Sequence, residues 1–105
     1  MSFKWVNKDP DETLDYSVDW SRFLGAATIS SVAWFVDNAS GVKTLITPSQ
    51  SVDGIQNVTQ TNTNTVATIH LALGTLNKEY KFYCRMTDST GSVAERVIKL
   101  RIKEQ

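Results

Sequence analysis

The chain has 105 residues, of which 41% are apolar and 21% charged, and its acidic and basic residues are equal in number. This composition is typical of a globular domain rather than a disordered tail, and zero formal charge argues against nucleic-acid binding driven by phosphate neutralisation. No apolar run approaches the ~20 residues that a membrane span requires. We therefore predict a single domain over residues 1–105, with an N-terminal arm over residues 1–12 and neither a nucleic-acid nor a membrane partner.

The charges are unevenly distributed along the chain. Residues 1–60 carry seven acids and four bases, whereas residues 61–105 carry four acids and seven bases. Opposite charges on the two halves could attract each other within one subunit or between neighbouring subunits. The N-terminal residues contain no apolar signal segment, so we expect the protein to be made in a cytoplasm.

Alternating apolar and polar residues predict strands from residue 13 onward. In the first of them every second residue is apolar, from Leu14 to Trp20, and acids occupy the opposite face. Turn clusters separate the strand candidates, which are residues 13–20, 27–36, 42–47, 66–74, 79–87 and 93–104. The polar, Thr-rich residues 55–65 favour an exposed loop or an edge strand. Short strands at this spacing predict an all-β fold, an immunoglobulin-like antiparallel β-sandwich of about seven strands.

The alternation also predicts which side chains form the core. The expected inward positions of the later strands are Ala67, Ile69, Leu71, Leu73, Tyr80, Phe82, Cys84, Met86, Ile98, Leu100 and Ile102. In immunoglobulin-like sandwiches, a tyrosine at the start of a long strand sends its hydroxyl to a backbone group a few residues upstream. Tyr80 has this position, and the alternative is an ordinary core tyrosine. Trp34 is expected in the core between the sheets.

The residues that could carry chemistry do not form a recognisable site. Asp15 and Asp19 are about 13 Å apart along a strand, which is too far for a glycosidase pair. The N-terminal acids lack the spacing of a calcium-binding loop. His70 is the single histidine and lies on the outward face of its strand, and Cys84 is expected in the core. We predict no catalytic residue, no metal ligand and no cofactor, and hence a protein that is not an enzyme.

Two large aromatic residues, Phe3 and Trp5, lie in the polar N-terminal arm. They could fold back over an open end of the sandwich. Alternatively, they could insert into a partner as anchors, because tryptophan is enriched at the centres of protein interfaces.

The block KDPDETLDYSVDWSRFLG, which begins at Lys8, resembles a family of small virion proteins of tailed bacteriophages. The following ATISSVAWFV stretch and a closing pattern continue the resemblance. The closing pattern consists here of Tyr80, Arg85, Thr87, Gly91, Arg96, Leu100 and Ile102. The resemblance covers residues 8–36 and 66–102 and implies a structural protein of the fiber–tail adaptor type with an immunoglobulin-like fold. It also implies that Asp-Pro-Asp-Glu forms a fixed, extended lead into the first core strand, because Pro10 restricts Asp9.

The resemblance implies an adaptor in the virion that links tail, ring or fiber proteins, in a homo-oligomeric ring or in multiple copies per particle. A capsid decoration protein and a carbohydrate-binding module that contacts the host surface are the alternatives, with outward Tyr83 as a candidate for sugar contact. The predicted interface residues are polar or aromatic side chains of the arm, the 56–63 segment and the last strand, in which basic residues could receive the acidic block of a neighbour. They are Phe3, Trp5, Asp9, Asp11, Glu12, Gln56, Asn57, Gln60, Asn62, Arg96, Lys99 and Arg101.

Overall fold

The computed structural model describes the backbone of residues 2–5 and 7–104, and the side chains of residues 5 and 7–104. Strands dominate this part of the chain, and a single helical turn follows the second strand. In chain order the elements are β1 (Ser2–Lys4), β2 (Leu14–Asp19), α1 (Ser21–Leu24), β3 (Ile29–Asp37), β4 (Lys43–Leu45), β5 (Ser51–Val52), β6 (Ile55–Asn62), β7 (Val66–Leu73), β8 (Glu79–Asp88) and β9 (Val93–Arg101).

The strands form two sheets that pack face to face. One sheet has the order β1-β9-β8-β3-β4 and the other β2-β7-β6-β5. Every described strand pair is antiparallel except β1 and β9, which run parallel. The predicted all-β sandwich is confirmed. The short strands β1 and β5 are additions to the seven-strand expectation, and the polar 55–65 segment contains strand β6.

The core consists of the apolar sides of the two sheets. The predicted inward residues of β8 and β9 are buried, as are Tyr16 and Val18 of β2, because successive side chains of a strand point to opposite faces; Leu14 is half-buried. Trp34 is 1% exposed and lies at the centre of this layer. One predicted core residue is wrong: Leu73 is 53% exposed, because the chain leaves the extended conformation there with φ of +64°.

The Tyr80 hydroxyl fixes the connections at one end of the sandwich. It donates a hydrogen bond to the Asp53 carbonyl at 2.7 Å and accepts one from the Thr75 amide at 2.9 Å. The expected contact five residues upstream is therefore present, and a second contact reaches the turn between β5 and β6. Gly54 in that turn has φ of +85°, and a Cβ there would lie 2.9 Å from the Thr75 hydroxyl. Glycine is required because a side chain would strain both the backbone and this contact.

Candidate protein interaction surfaces

The N-terminal arm folds back onto its own sandwich. Strand β1 pairs with residues 97–99 of β9, and the Trp5 amide continues the pairing with a 2.8 Å hydrogen bond to the Lys99 carbonyl. The half-buried Trp5 ring covers the core edge, and its ring centroid lies 4.8 Å from Tyr16, 5.6 Å from Phe82 and 5.9 Å from Trp34. Of the two alternatives for Trp5, this structure therefore shows the intramolecular one. The side chain of Phe3 lies outside the described residues.

Lys8 is a buried cation that sequence reasoning missed. It is 0% exposed, and its ammonium donates hydrogen bonds to the carbonyls of Leu73 at 2.7 Å and Asp9 at 2.8 Å. Burial lowers the pKa of Lys8, and the carboxylates of Glu12, Asp9 and Asp11 oppose that shift. The available signal was a lysine directly followed by three acids within four residues. Lys8 thus joins the arm to the corner after β7.

The acidic residues 9–12 form a compact turn rather than the extended lead that the resemblance implied. The Glu12 carboxylate accepts from the Asp9 amide at 3.0 Å, and the Asp9 carboxylate accepts from the Asp11 amide at 2.9 Å. The Glu12 amide closes the turn on the Asp9 carbonyl at 3.0 Å. Asp at the first and Pro at the second position are favourable for such a turn. Two of the predicted interface carboxylates therefore have a structural role, and the exposed Asp11 side chain is the most accessible.

The predicted interface segment in β6 is divided between core and surface. Asn57 is 0% exposed, and its amide group donates to the Ile46 carbonyl at 3.1 Å and the Gln60 side chain at 3.0 Å. The Asn57 side chain is therefore inaccessible in the isolated chain, and its place in an interface stays a prediction. Gln56 and Gln60 are half-buried, whereas Asn62 is exposed.

A groove lies between the end of β2, the helical turn α1 and the start of β9. Its volume is about 550 Å³, and its lining consists of Val18, Asp19, Trp20, Arg22, Phe23, Glu95 and Arg96. The Arg96 guanidinium lies 4.8 Å from the Trp20 ring centroid and 5.8 Å from that of Phe23. Phe23 is 44% exposed although it contacts Trp20 edge to face at 6.0 Å. The groove therefore presents an accessible aromatic ring beside a cation held in place by a second ring.

The groove adjoins an unpaired strand edge. β8 pairs with β9 along residues 93–101, but on the other side β1 covers only residues 97–99. Among the described residues, nothing pairs with the outer edge of β9 at residues 93–96. Sequence reasoning proposed Arg96 but missed Phe23, for which an aromatic residue in the short SRFLG connection was the available signal.

The outer face of the five-stranded sheet carries cations and aromatic rings. Glu95 lies 2.5 Å from the Lys43 ammonium and 3.3 Å from the Arg85 guanidinium. Lys43 also lies 4.7 Å from the Tyr83 ring centroid. The Tyr83 hydroxyl donates to Asp37 at 2.8 Å, and burial together with that carboxylate raises the pKa of Tyr83 to about 12. Several charges on this face therefore already have internal partners.

Two lysines on the same face lack a carboxylate partner among the described residues, although the Lys81 ammonium lies 5.5 Å from the Tyr83 ring centroid. Lys81 of β8 and Lys99 of β9 occupy directly opposite positions and are both exposed. Within the described part of the chain, no carboxylate lies within 4 Å of either ammonium group. Like charges directly opposite on neighbouring strands destabilise a sheet.

The outer face of the four-stranded sheet is acidic and rich in hydroxyl groups. Asp15 lies opposite His70, and the Ser17 and Thr68 hydroxyls are hydrogen-bonded at 2.9 Å. The Asp19 carboxylate accepts from the Ser21 amide at 2.9 Å, and this bond lowers the pKa of Asp19. No group of three or more potential metal-ligating side chains comes together within the described residues.

The single cysteine is part of the core. Cys84 is 0% exposed, and burial raises the pKa of its thiol to about 12, against smaller opposing effects of Trp20 and Arg96. No helix within the described ranges 2–5 and 7–104 is long and apolar enough to cross a bilayer.

Comparison with known proteins identifies a family. No curated protein matches the chain. The model of one family, described as podophage GP4 fiber-tail adaptor protein gp77, matches residues 8–101. This match covers most of the chain, from the buried Lys8 to the end of β9. The chain therefore belongs to the podophage GP4 fiber-tail adaptor family and is a structural adaptor of a tailed-phage virion.

Proposed function

We propose that the chain is a non-enzymatic connector, present in several copies per virion, that binds tail and fiber proteins through separate surfaces of one sandwich. The family supports an adaptor role and does not favour capsid decoration or sugar binding. The sandwich provides a framework of paired strands with distinct surfaces at its edges and outer faces. Several copies, each with a modest contact area, would together bind the partner more tightly than one copy alone.

The groove beside β9 is the observation that carries this proposal. It combines the exposed Phe23 ring, the oriented Arg96 guanidinium and an unpaired strand edge at residues 93–96. An open edge offers backbone amide and carbonyl groups to an added strand. The proposed occupant is therefore an extended segment of a tail or fiber protein, paired with β9.

The side chains of the groove would give this strand addition its specificity. An apolar residue of the incoming segment would cover Phe23, because a half-exposed aromatic ring gains most from removal of its water. The Arg96 guanidinium lies over the Trp20 ring, and this contact would lower the entropic cost of binding a carbonyl or carboxylate of the partner.

The other predicted interface residues belong to additional contacts in this proposal. Exposed or half-buried members of this set outside the groove include Asp11, Gln56, Gln60, Asn62, Lys99 and Arg101. They lie on the acidic turn, on β6 and on β9, so they provide surfaces apart from the groove.

A binding experiment with single variants tests the groove. The purified chain is titrated with the tail and fiber proteins of the same phage, and Phe23→Ala and Arg96→Ala are compared with the wild type. We expect each variant to weaken binding to one partner by about tenfold or more, because aromatic and arginine anchors dominate interfaces. Leu45→Ala is a matched control, since Leu45 is 46% exposed on β4 at the opposite edge of the sheet. Unchanged affinity of both groove variants for every partner would contradict the proposal.

Copy number provides an independent test. Quantitative densitometry of purified virions should show one or two rings' worth of this chain, whereas hundreds of copies would indicate a capsid protein. A single copy would contradict the multi-copy part of the proposal.

A further inference from the structure

The lysine pair on the five-stranded sheet is a local arrangement that costs stability in the isolated subunit. Lys81 and Lys99 lie directly opposite each other, and the backbone of Lys4 in β1 pairs with Lys99 from the other side. Neighbouring cations Lys43 and Arg85 share Glu95, whereas the lysine pair has no carboxylate within 4 Å among the described residues. Like charges on neighbouring strands are unfavourable, and we expect such pairs at sites where contact with another molecule offsets their repulsion.

A complementary surface lies on the other side of the same molecule. Asp15 and Asp19 project from the outer face of β2, with hydroxyl groups between and beside them. No lysine or arginine lies within 4 Å of either carboxylate in the part of the chain that the structure describes. Asp19 accepts a hydrogen bond from the Ser21 amide but stays exposed, whereas Asp9 and Glu12 are half-buried in the 9–12 turn and therefore less suitable.

We propose that neighbouring copies of this chain stack in the virion, with the Asp15–Asp19 face of one copy on the Lys81–Lys99 face of the next. This inference rests on the multi-copy adaptor function proposed above and specifies the contact between copies. The occupant of the lysine face is a second copy because the chain itself carries the complementary charge.

The spacing of the charges fits such a contact. Asp15 and Asp19 are two alternations apart on β2, which corresponds to about 13 Å, and Lys81 and Arg85 have the same separation on β8. When β2 of one copy runs along β8 of the next, one carboxylate meets the lysine pair and the other approaches Arg85. A carboxylate between Lys81 and Lys99 would remove their mutual repulsion.

The two faces lie on opposite sides of the sandwich, so the contact is heterologous. A heterologous contact repeats from copy to copy and closes into a ring when the rotation between copies allows it. Asp19 also lines the groove beside β9, so the stacking contact borders that groove, whereas the open β9 edge at residues 93–96 belongs to the other sheet.

A charge-exchange experiment on the full chain tests the stacking. The double variant Lys81→Glu/Lys99→Glu has two acidic faces, and Asp15→Lys/Asp19→Lys has two basic faces. Sedimentation velocity at low salt should show that the wild type self-associates and that each variant alone does so more than about tenfold more weakly, because like-charged faces repel. An equimolar mixture of the two variants should associate again.

Controls distinguish the contact from unfolding and from an anion site. Lys103→Glu changes an exposed lysine beyond the end of β9 and should associate like the wild type. Circular dichroism verifies the fold of each variant, and Asp15→Asn/Asp19→Asn provides a milder change that should also weaken association. A wild type that stays monomeric, or a variant mixture that does not associate, would overturn the inference. Saturable binding of inorganic phosphate to the lysine pair without self-association would also overturn it.

The result is separable from that of the groove experiment. If stacking fails but Phe23→Ala still weakens binding to a tail or fiber protein, the adaptor function stands and only this contact is wrong. If both fail, the proposed docking mechanism is wrong.

Discussion

Two acidic regions close to each other in sequence have different physical roles. In the 9–12 turn, backbone amides donate to the carboxylates of Asp9 and Glu12, and the charge of the buried Lys8 ammonium acts on these acids without a direct ion pair. On the β2 face, by contrast, Asp15 points away from the sheet without a basic partner among the described residues. The comparison shows that the supply of nearby donors determines the role of an acid, and that acids without donors remain available for other molecules.

The largest effect is expected from removal of the cation in the first region. Lys8→Ala deletes two charge-assisted hydrogen bonds to the Leu73 and Asp9 carbonyls and leaves a cavity. We expect a loss of about 2–4 kcal/mol in the free energy of unfolding, measured by chemical denaturation. Lys103→Ala is the control and should stay within about 0.5 kcal/mol of the wild type, because that lysine is exposed. Equal stability of the two variants would show that the buried ammonium is not a structural link.

A smaller effect is expected from one carboxylate of the turn. Glu12→Ala removes the acceptor of the Asp9 amide, and by analogy with helix caps we expect a loss of about 1 kcal/mol. Glu12→Gln retains a side-chain oxygen and should recover most of this loss. If thermal or chemical unfolding does not distinguish Ala from Gln at this position, the hydrogen bond contributes nothing to the turn.

The smallest stability effect is expected on the β2 face. Asp15→Asn should change the free energy of unfolding by less than about 0.5 kcal/mol, because the carboxylate is exposed. The same change should weaken self-association if the stacking proposal holds. A large loss of stability would show that Asp15 has a structural role like the acids of the 9–12 turn, and the two acidic regions would then not differ.

Acidification sharpens the comparison at Asp19, the one acid of this face with a backbone donor. The Ser21 amide lowers its pKa in the folded state, so the unfolded chain binds more protons as pH falls. The stabilisation is complete above the ordinary pKa of about 3.9 and is lost as pH falls through the folded value. We therefore expect the stability advantage of the wild type over Asp19→Asn to shrink between neutral pH and about pH 3. A constant difference across this range would exclude the linkage.

Much of the fold was predictable from local pattern. The alternation from Leu14 to Trp20 assigned the inward face of β2, and the position of Tyr80 predicted its hydrogen bond to the backbone. Leu73 was assigned wrongly, because a regular alternation contains no information on where a strand ends. Leu73 has a positive φ because the chain turns there, and the same turn places the Leu73 carbonyl within hydrogen-bond distance of the Lys8 ammonium.

The candidate surfaces were less predictable than the core. Asn57 and Lys8 belong to polar segments, yet both are buried, because carbonyl groups distant in sequence supply their hydrogen bonds. The Phe23 groove depends on the approach of β2 to the start of β9. Each of these arrangements includes a contact between residues remote in sequence, so residue type and spacing could not reveal it.

The sequence by itself determined the strand pattern, the apolar core and the family, because side-chain alternation and a specific block of residues are local properties. Only the tertiary structure decided which charges are used inside the molecule and which face outward. That distinction depends on distances between side chains on strands that are remote in sequence, such as β2 and β7, which pair with each other. Electrostatic interactions fall with those distances rather than with separation along the chain.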